Sequence, residues 1–324
     1  MDFSLLRFWV LLLSISVLTA CQVAPVAQDK AKSSIVAPAP VEDIYRQLRS
    51  EKALERVQAL QSLAKQPILA RKSISLILVL LGDDRQVDVA KYVGSGFYSG
   101  SVSSPADMAA ELLAKLGRWS VLPLRLRLHD KNPIVRQYAT KSLGIIAKPE
   151  HAEWLLSGLA DIESAVSKEA YAALLKQDAQ VYVRLINELD FSSMSLRQQL
   201  LIIQLLGNSQ HGDALPMLFK FAANSNSTLR SASFAALSKF PEAKLEDIVL
   251  QGIEDKAMHV KENALMLAPY HRSEEVLAAV IRQLSVDDDN VSQVALKVLP
   301  IISGEKQRSI NAWQQWWQAR LLKH

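Results

Sequence analysis

The chain is poor in cysteine and aromatic residues, and its charge is not strongly of one sign. Its single cysteine excludes a disulfide framework within one molecule. Aromatic residues make up 6% beside 49% hydrophobic residues, which is typical of an Ala- and Leu-rich helical array with a large core. With 37 basic and 33 acidic residues the formal charge is +4, so composition gives no argument for binding nucleic acid.

Motifs for catalysis or metal binding are also lacking. The six histidines are scattered, and none forms a helix-spaced metal pair with a carboxylate. There is no Gly-x-Ser-x-Gly elbow and no phosphate loop. The run Asp287-Asp288-Asp289 lacks the glutamate that completes a calcium loop, and we interpret it as a solvated turn. The sequence therefore predicts no enzyme, no cofactor, no metal and no small-molecule substrate.

An internal repeat is the main positive feature. In each unit an apolar residue opens a helical stretch just after a polar turn, and we call it the reference residue of that unit. The reference residues lie 30 to 33 residues apart, at Val135, Val166, Leu196, Leu229, Val260 and Val291. A fixed period of this size is the signature of a solenoid, in which each unit buries its apolar face only by stacking on its neighbours.

Within the units, positions four and eight after the reference residue share one helical face. Position four is usually small, as at Ala139 and Ala170, and position eight is usually leucine, as at Leu143. The unit at Leu196 is irregular, and we interpret it as slipped by about one residue. A second apolar segment precedes each reference residue, as in residues 122–128, so the unit is predicted to be helix, turn, helix.

The unit around Asp130, Pro133, Val135, Arg136 and Ala139 resembles that of HEAT-repeat proteins, of the short type related to phycobilisome-lyase-like repeats. The resemblance extends over residues 51–322 and implies an all-α, right-handed α-solenoid of about seven to eight units. HEAT-like proteins are scaffolds and adaptors with unrelated partners, so the resemblance does not identify an activity.

The HEAT-like pattern also implies a ladder of bonds between adjacent units, made by an aspartate and a base six residues apart. Asp130 with Arg136 keeps both members, whereas Asp161 with Ser167 has lost the base. We therefore expect an incomplete ladder. Arg136, Arg197, Arg230 and Lys261 are interpreted as structural, with an anion-binding stripe as the alternative.

The N-terminus predicts export and lipidation. An apolar run over residues 8–18 is too short to span a bilayer comfortably but suits a signal peptide. It ends in Leu18-Thr19-Ala20-Cys21, which resembles the lipobox of bacterial lipoproteins and implies an acylated Cys21. A plain secretory signal or membrane anchor is the alternative. In many Gram-negative lipoproteins, an aspartate directly after the lipidated cysteine causes retention in the inner membrane. Residue 22 is glutamine, so we expect the protein at the periplasmic face of the outer membrane.

The predicted organisation is a signal peptide over residues 1–20, a lipidated tether over 21–42 and a repeat domain over 43–324. The Pro- and Ala-rich tether lacks helical periodicity. An insertion over residues 83–105 interrupts the repeat. It is interpreted as a flexible loop, with a binding loop presenting Phe97 and Tyr98 as the alternative.

The C-terminal segment 305–324 carries Trp313, Trp316 and Trp317 on one helical face. A cap on the last unit is the favoured interpretation, because solenoid ends need sealing. The alternative is an aromatic platform that binds cell-wall glycan or a partner.

The remaining candidate site is the concave surface, where the second helix of each unit is expected to lie. Positions two and six after the reference residues are predicted to face inward, and the candidate partner-binding residues are Gln198, Ile202, Ala235, Glu262 and Met266. Tight packing between helices is the alternative for these residues. We expect a membrane-anchored, non-catalytic scaffold or adaptor for an envelope protein. A glycan-binding module and a non-catalytic subunit of an envelope enzyme are the alternatives.

Overall fold

The computed structural model describes residues 40–89 and 102–322. These residues form eight stacked helix pairs and a final single helix. The first helices are α1 (Val41–Leu48), α3 (Pro67–Lys72) continued by α4 (Ile74–Val79), α6 (Arg118–Arg127), α8 (Ala152–Leu159), α10 (Ala179–Asn187), α12 (Leu215–Ala222), α14 (Glu246–Ile253) and α16 (Glu274–Arg282). The second helices are α2 (Ala53–Ala64), α5 (Pro105–Leu116), α7 (Pro133–Ile146), α9 (Ser164–Leu174), α11 (Leu196–Ser209), α13 (Ser227–Leu237), α15 (Met258–Leu265) and α17 (Asp289–Ser303). The predicted all-α solenoid of HEAT-like units is confirmed.

Polar turn residues start the second helices. The side chain of Asn132 accepts a hydrogen bond from the Ile134 N–H at 3.0 Å, and Pro133 occupies the first helical turn. Asn226 and Asp288 cap α13 and α17 in the same way. Each cap satisfies a backbone donor that has no partner within the helix. The turns that define the repeat in the sequence therefore also fix where its helices begin.

The core follows the predicted helical face. Ala139, Ala170 and Ala264 at position four are fully buried, as are Leu143 and Leu174 at position eight. Consecutive second helices approach closely where glycine faces alanine. A Cβ atom added to Gly144 of α7 would lie 2.4 Å from the Ala173 Cβ atom of α9, and one added to Gly207 of α11 would lie 2.8 Å from that of Ala236 in α13. Small residues therefore set the spacing of both helix pairs.

Helix α11 has a different register from the one expected. Its nominal reference residue, Leu196, is 42% exposed, and it is the first residue of the helix. In α7, α9, α13, α15 and α17 the reference residue is the third. Gln198 is the third residue of α11, so the slip is two residues and not one. A capping box between Ser195 and Gln198 fixes this helix start.

The junction between α9 and α11 is the loosest between successive second helices. These two helices lack the close approach found for α7 with α9 and for α11 with α13. With the corrected register, Leu175 and Leu205 occupy the positions held by Gly144 and Ala173 one unit earlier. Leu205 is buried but Leu175 is 42% exposed, so no pair of small residues draws these two backbones together.

The insertion is tied together at its base by two short strands, which the sequence analysis did not predict. Strand β1 (Val87–Asp88) pairs antiparallel with β2 (Val102–Ser103). Helix α5 ends at Gly117, which has φ 57° and serves as its C-cap. Phe97 and Tyr98, like the predicted signal peptide, Cys21 and most of the predicted tether, lie outside the described residues.

The last helix, α18 (Ile310–Leu321), packs against α16. Trp313 is 1% exposed, and the ring of Trp316 meets it edge-on at a centroid distance of 5.5 Å. The Gln314 Nε2 atom donates to the Ser285 hydroxyl at 2.9 Å. Through these contacts Trp313 covers the end of the last helix pair, as expected of a cap.

Candidate partner-binding surface

The exposed row of the second helices lies at position six after the corrected reference residues. We call it the position-six row, and its members are Lys141, Ala172, Gln204, Ala235, Met266 and Lys297. All are exposed except Lys141, which is half-buried and donates to the Asp107 carboxylate at 2.7 Å. The row passes from lysine at both ends to uncharged residues in the middle, so its centre is suited to apolar contacts.

A depression of about 360 Å³ lies in the middle of this row, between α11 and α13. Leu200, Ile203, Ala232, Ala235 and Ala236 line it, together with Gln204 and Lys239. The contact between Gly207 and Ala236 holds the two helices close together, so the depression is shallow. Its floor is apolar, and its rim carries an amide and an ammonium group.

Two predicted partner-binding residues need correction. Ile202 is 2% exposed, because the two-residue shift places it at position four, the buried face of the helix. Gln198 is half-buried, and its Nε2 atom donates to the Ala160 carbonyl at 2.8 Å while its Oε1 atom accepts from the Ser195 N–H. Gln198 therefore links units. Gln204, which the prediction missed, takes the place of Ile202 at position six on the surface. Applying the shift to α11 in the sequence would have found it.

The other predicted residues on the second helices reach the surface. Ala235 and Met266 are exposed, and Glu262 is half-buried. Ala235 lines the depression, whereas Glu262 and Met266 lie on α15, the next second helix. The structure thus brings these three residues to the second-helix side of successive units.

A ladder of arginine side chains supports this surface. Arg136 donates from Nε and Nη2 to both oxygens of Asp161 in the next unit, at 2.7 and 2.9 Å, and from Nη1 to the Asp130 carbonyl of its own turn. Arg230 makes the same contacts with Asp255, at 2.7 Å each, and with the Asn224 carbonyl. The basic residues at these two positions are therefore structural, as expected.

The ladder lowers the pKa of its acids. Burial opposes the charge of Asp161 and Asp255, but hydrogen bonds from the arginines and from backbone N–H groups outweigh it, so the pKa of both carboxyls lies below the ordinary value. The guanidinium–carboxylate pairs therefore remain charged at neutral pH.

The ladder is interrupted around α11. Ser167 replaces the base of α9, and in the corrected register Gln199, not Arg197, holds the base position of α11. Gln199 donates to the Met194 carbonyl at 2.9 Å, and Arg197 reaches back to the Ser167 hydroxyl of the previous unit. The expected gap is present, and it is wider than predicted.

A chain of polar side chains crosses the same region. The Asn208 Nδ2 atom donates to the Tyr171 hydroxyl of α9, and its Oδ1 atom accepts from the Lys239 ammonium group beyond α13. Burial raises the pKa of Tyr171, although the hydrogen bond with Asn208 opposes it. These contacts link three successive units where the arginine ladder is absent.

The alternative glycan platform fits poorly at Trp313, which is buried and presents no ring face to a ligand. Trp316 and Trp317 are half-buried, and the Arg320 guanidinium lies 5.5 Å from the ring centroid of Trp316. Only the partly exposed rings of Trp316 and Trp317 remain for such contacts.

Two features that would indicate other kinds of site are absent from the described residues. No cluster of three or more histidine, cysteine, aspartate or glutamate side chains there is arranged to hold a metal ion. In the same part of the chain, no helix has both the length and the apolar character needed to cross a membrane.

No family model matches the chain, and no curated protein matches it. Among solved structures, it is similar to human deoxyhypusine hydroxylase at 16% identity, covering 82% of this chain and 96% of that one, with a TM-score of 0.32. The CpcE–CpcF complex of phycocyanin lyase from Nostoc sp. has 18% identity, coverage of 86% and 100%, and a TM-score of 0.33. Kap95p bound to RanGDP has 10% identity, coverage of 89% and 43%, and a TM-score of 0.49. At these identities and scores the likenesses carry no argument about function.

Proposed function

We propose that the protein is a membrane-anchored, non-catalytic scaffold whose second helices bind a protein of the cell envelope. The observation that carries the proposal is the position-six row with its apolar depression between α11 and α13. Repeated helices that present one exposed row to solvent offer an extended surface for another chain. Each second helix from α7 to α17 contributes one residue to the row.

The dimensions and chemistry of the depression favour a helix or an extended segment as the partner. A volume of about 360 Å³ accommodates a few aliphatic or aromatic side chains. Gln204 and Lys239 at the rim offer hydrogen-bond donors, and Glu262 on α15 offers an acceptor. We expect apolar anchors flanked by polar and acidic residues on the partner.

Membrane anchoring rests on the sequence alone. The lipobox-like residues ending at Cys21 support diacylation of the thiol and acylation of the new amino group, and Gln22 favours the outer membrane. Several acyl chains give effectively permanent anchoring, whereas one would be marginal. The scaffold would then act at the periplasmic face.

The test is photo-crosslinking in living cells from a photoreactive residue placed at Gln204, at Ala235 or at Glu262. Glu188, which is exposed at the end of α10, serves as the matched control site. We expect the same protein to be captured from the three second-helix sites and not from residue 188. Cell fractionation checks that each variant reaches the membrane.

A second variant links capture to the depression. Ala235→Trp places a large side chain on an exposed position, so the fold is retained while the depression is filled. We expect this variant to lose the adduct formed from residue 204. No protein adduct from any second-helix site in correctly localised protein, or an unchanged adduct in Ala235→Trp, overturns the proposal.

A further inference from the structure

An exposed apolar and basic surface lies on the opposite helices of the array, at α3 and α6. Trp119, Leu122 and Leu126 are 48%, 63% and 70% exposed and are spaced to share one side of α6. Ile68 of α3 is 70% exposed. We call this surface the α3–α6 face, and it comprises Ile68, Arg71, Trp119, Leu122, Arg125 and Leu126.

Cation–π contacts join the two helices into one surface. The Arg71 guanidinium of α3 lies 5.4 Å from the ring centroid of Trp119 in α6, and that of Arg118 lies 4.8 Å from it. Arg125 lies 4.6 Å from the ring centroid of Trp154 in the next unit. The Trp119 ring therefore has two guanidinium groups near it and the Trp154 ring has one, while the neighbouring leucines are exposed to solvent.

The charge of this surface is of one sign. Helices α3, α4 and α6 contain no aspartate or glutamate, although the chain as a whole is nearly balanced. Their basic residues are Arg71, Lys72, Arg118, Arg125 and Arg127. Arg127 pairs with Asp130 in the following turn. The next acidic residues along the chain, Glu150 and Glu153, belong to the following unit, which also contains Trp154. The complementary surface must be acidic and must also accept apolar side chains.

We infer that the α3–α6 face rests on the headgroup layer of an anionic lipid bilayer. Exposed leucine and tryptophan side chains among arginines match that layer, because amphipathic rings and long basic side chains span its apolar and charged zones. A bilayer also accepts a protruding helix side without a matching groove. Each basic residue near an anionic surface adds to the attraction.

The path of the chain agrees with this orientation. The Ser73 hydroxyl between α3 and α4 lies 3.4 Å from the Tyr45 hydroxyl of α1. Helix α1, the first helix of the array, therefore lies beside α3 and α4. The inference rests on the membrane anchor proposed above, because that anchor would hold this end of the array next to the bilayer.

The experiment uses the full chain, purified from host membranes in detergent and reconstituted with preformed vesicles. A nitroxide is attached to Leu122→Cys, and to Gln204→Cys as the control on the second-helix side. The unsubstituted protein gives the background from Cys21. The vesicles are phosphatidylcholine, with or without phosphatidylglycerol. Flotation measures anchoring, and collision rates of the nitroxide with oxygen and with a neutral nickel chelate measure its depth.

With phosphatidylglycerol present, we expect the label at residue 122 to gain oxygen collisions and lose nickel collisions, whereas the label at 204 stays unchanged. In phosphatidylcholine alone, both labels remain accessible to nickel. Arg71→Gln and Arg125→Gln should each lower the ratio of docked to undocked protein about fivefold, the effect of removing one charge near an anionic surface.

Three results overturn the inference in distinguishable ways. Protein that floats while residue 122 stays as accessible to nickel as residue 204 retains the anchor and refutes docking. Protein that does not float refutes both the anchor and the docking. Shielding of residue 122 without vesicles, increasing with protein concentration, shows that a second copy covers the face.

Discussion

The arginine ladder makes a quantitative prediction at Arg230, where the bond between units is bidentate. Arg230→Met removes two hydrogen bonds to Asp255 and one each to the Asn224 and Ser225 carbonyls but keeps a long apolar side chain. The matched control is Arg282→Met. Arg282 also bonds a carboxylate, that of Glu254, but this pair is on the surface.

The difference in burial determines how much free energy Arg230→Met costs compared with Arg282→Met. The side chains of Arg230 and Asp255 are 17% and 12% exposed, whereas those of Arg282 and Glu254 are 60% and 48% exposed. Breaking a buried pair by removing one partner costs about 3–5 kcal/mol. Because Asp255 keeps its bond from the Ala257 N–H and some solvent contact, we expect about 2–3 kcal/mol here. The exposed pair should contribute under about 1 kcal/mol.

Hydrogen–deuterium exchange read by mass spectrometry is the suitable assay, since a repeat array need not unfold in one step. In Arg230→Met, the amides of α13 to α15 should exchange roughly 30- to 150-fold faster, as 2–3 kcal/mol of opening free energy implies. Amides of α5 to α7 should be unaffected. Arg230→Lys should recover only part of the protection, because an ammonium group does not form the planar double bond. Equal effects of Arg230→Met and Arg282→Met would refute the reasoning.

Three further predictions follow from burial and close packing. Gly144→Ala should destabilise the protein by about 1–2 kcal/mol, because overpacking against Ala173 outweighs the gain in helix propensity; urea denaturation would show it, with Gly212→Ala, which has open space, as control. Trp313→Ala should cost about 3–5 kcal/mol and speed amide exchange in α16 to α18, more than Trp317→Ala does; equal effects would exclude the sealing role. Burial lowers the pKa of His151 and His271 below the ordinary 6.5, so the unfolded chain binds more protons and stability should fall as the pH drops below 6.5; His151→Phe should flatten the urea midpoint against pH, and an unchanged pH profile contradicts this.

The sequence predicted the helix pairs because both of their signals are local. Polar caps such as Asn132 determine where a helix starts, and apolar spacing such as that of Val135, Ala139 and Leu143 determines which side is buried.

The predicted register of α11 is wrong because apolar character alone does not identify the reference residue. Leu196 is apolar but lies in the first turn, where the capping box of Ser195 and Gln198 decides the phase of the helix. This error moved Ile202 to the surface and left Gln204 out of the candidate site. The packing distance between α9 and α11 depends on side chains in two units. The residue pattern within a single unit therefore does not predict it.

The pairing of β1 with β2 depends on contacts across the insertion, which no local pattern encodes. Neither strand exceeds two residues, and no alternation of apolar and polar residues marks them.

The loose junction between α9 and α11 has a mechanical consequence. A stack of units bends most readily where neighbouring units share the least contact. This junction lacks the glycine–alanine approach and the bidentate arginine–aspartate pair, and single side-chain bonds from Arg197, Gln198 and Asn208 cross it instead. The chain on either side of it is bonded more tightly. We therefore expect the array to bend more readily there, between the segment that carries the α3–α6 face and the segment that carries the α11–α13 depression. Such bending changes the angle between these two segments while the bonds within each segment are kept.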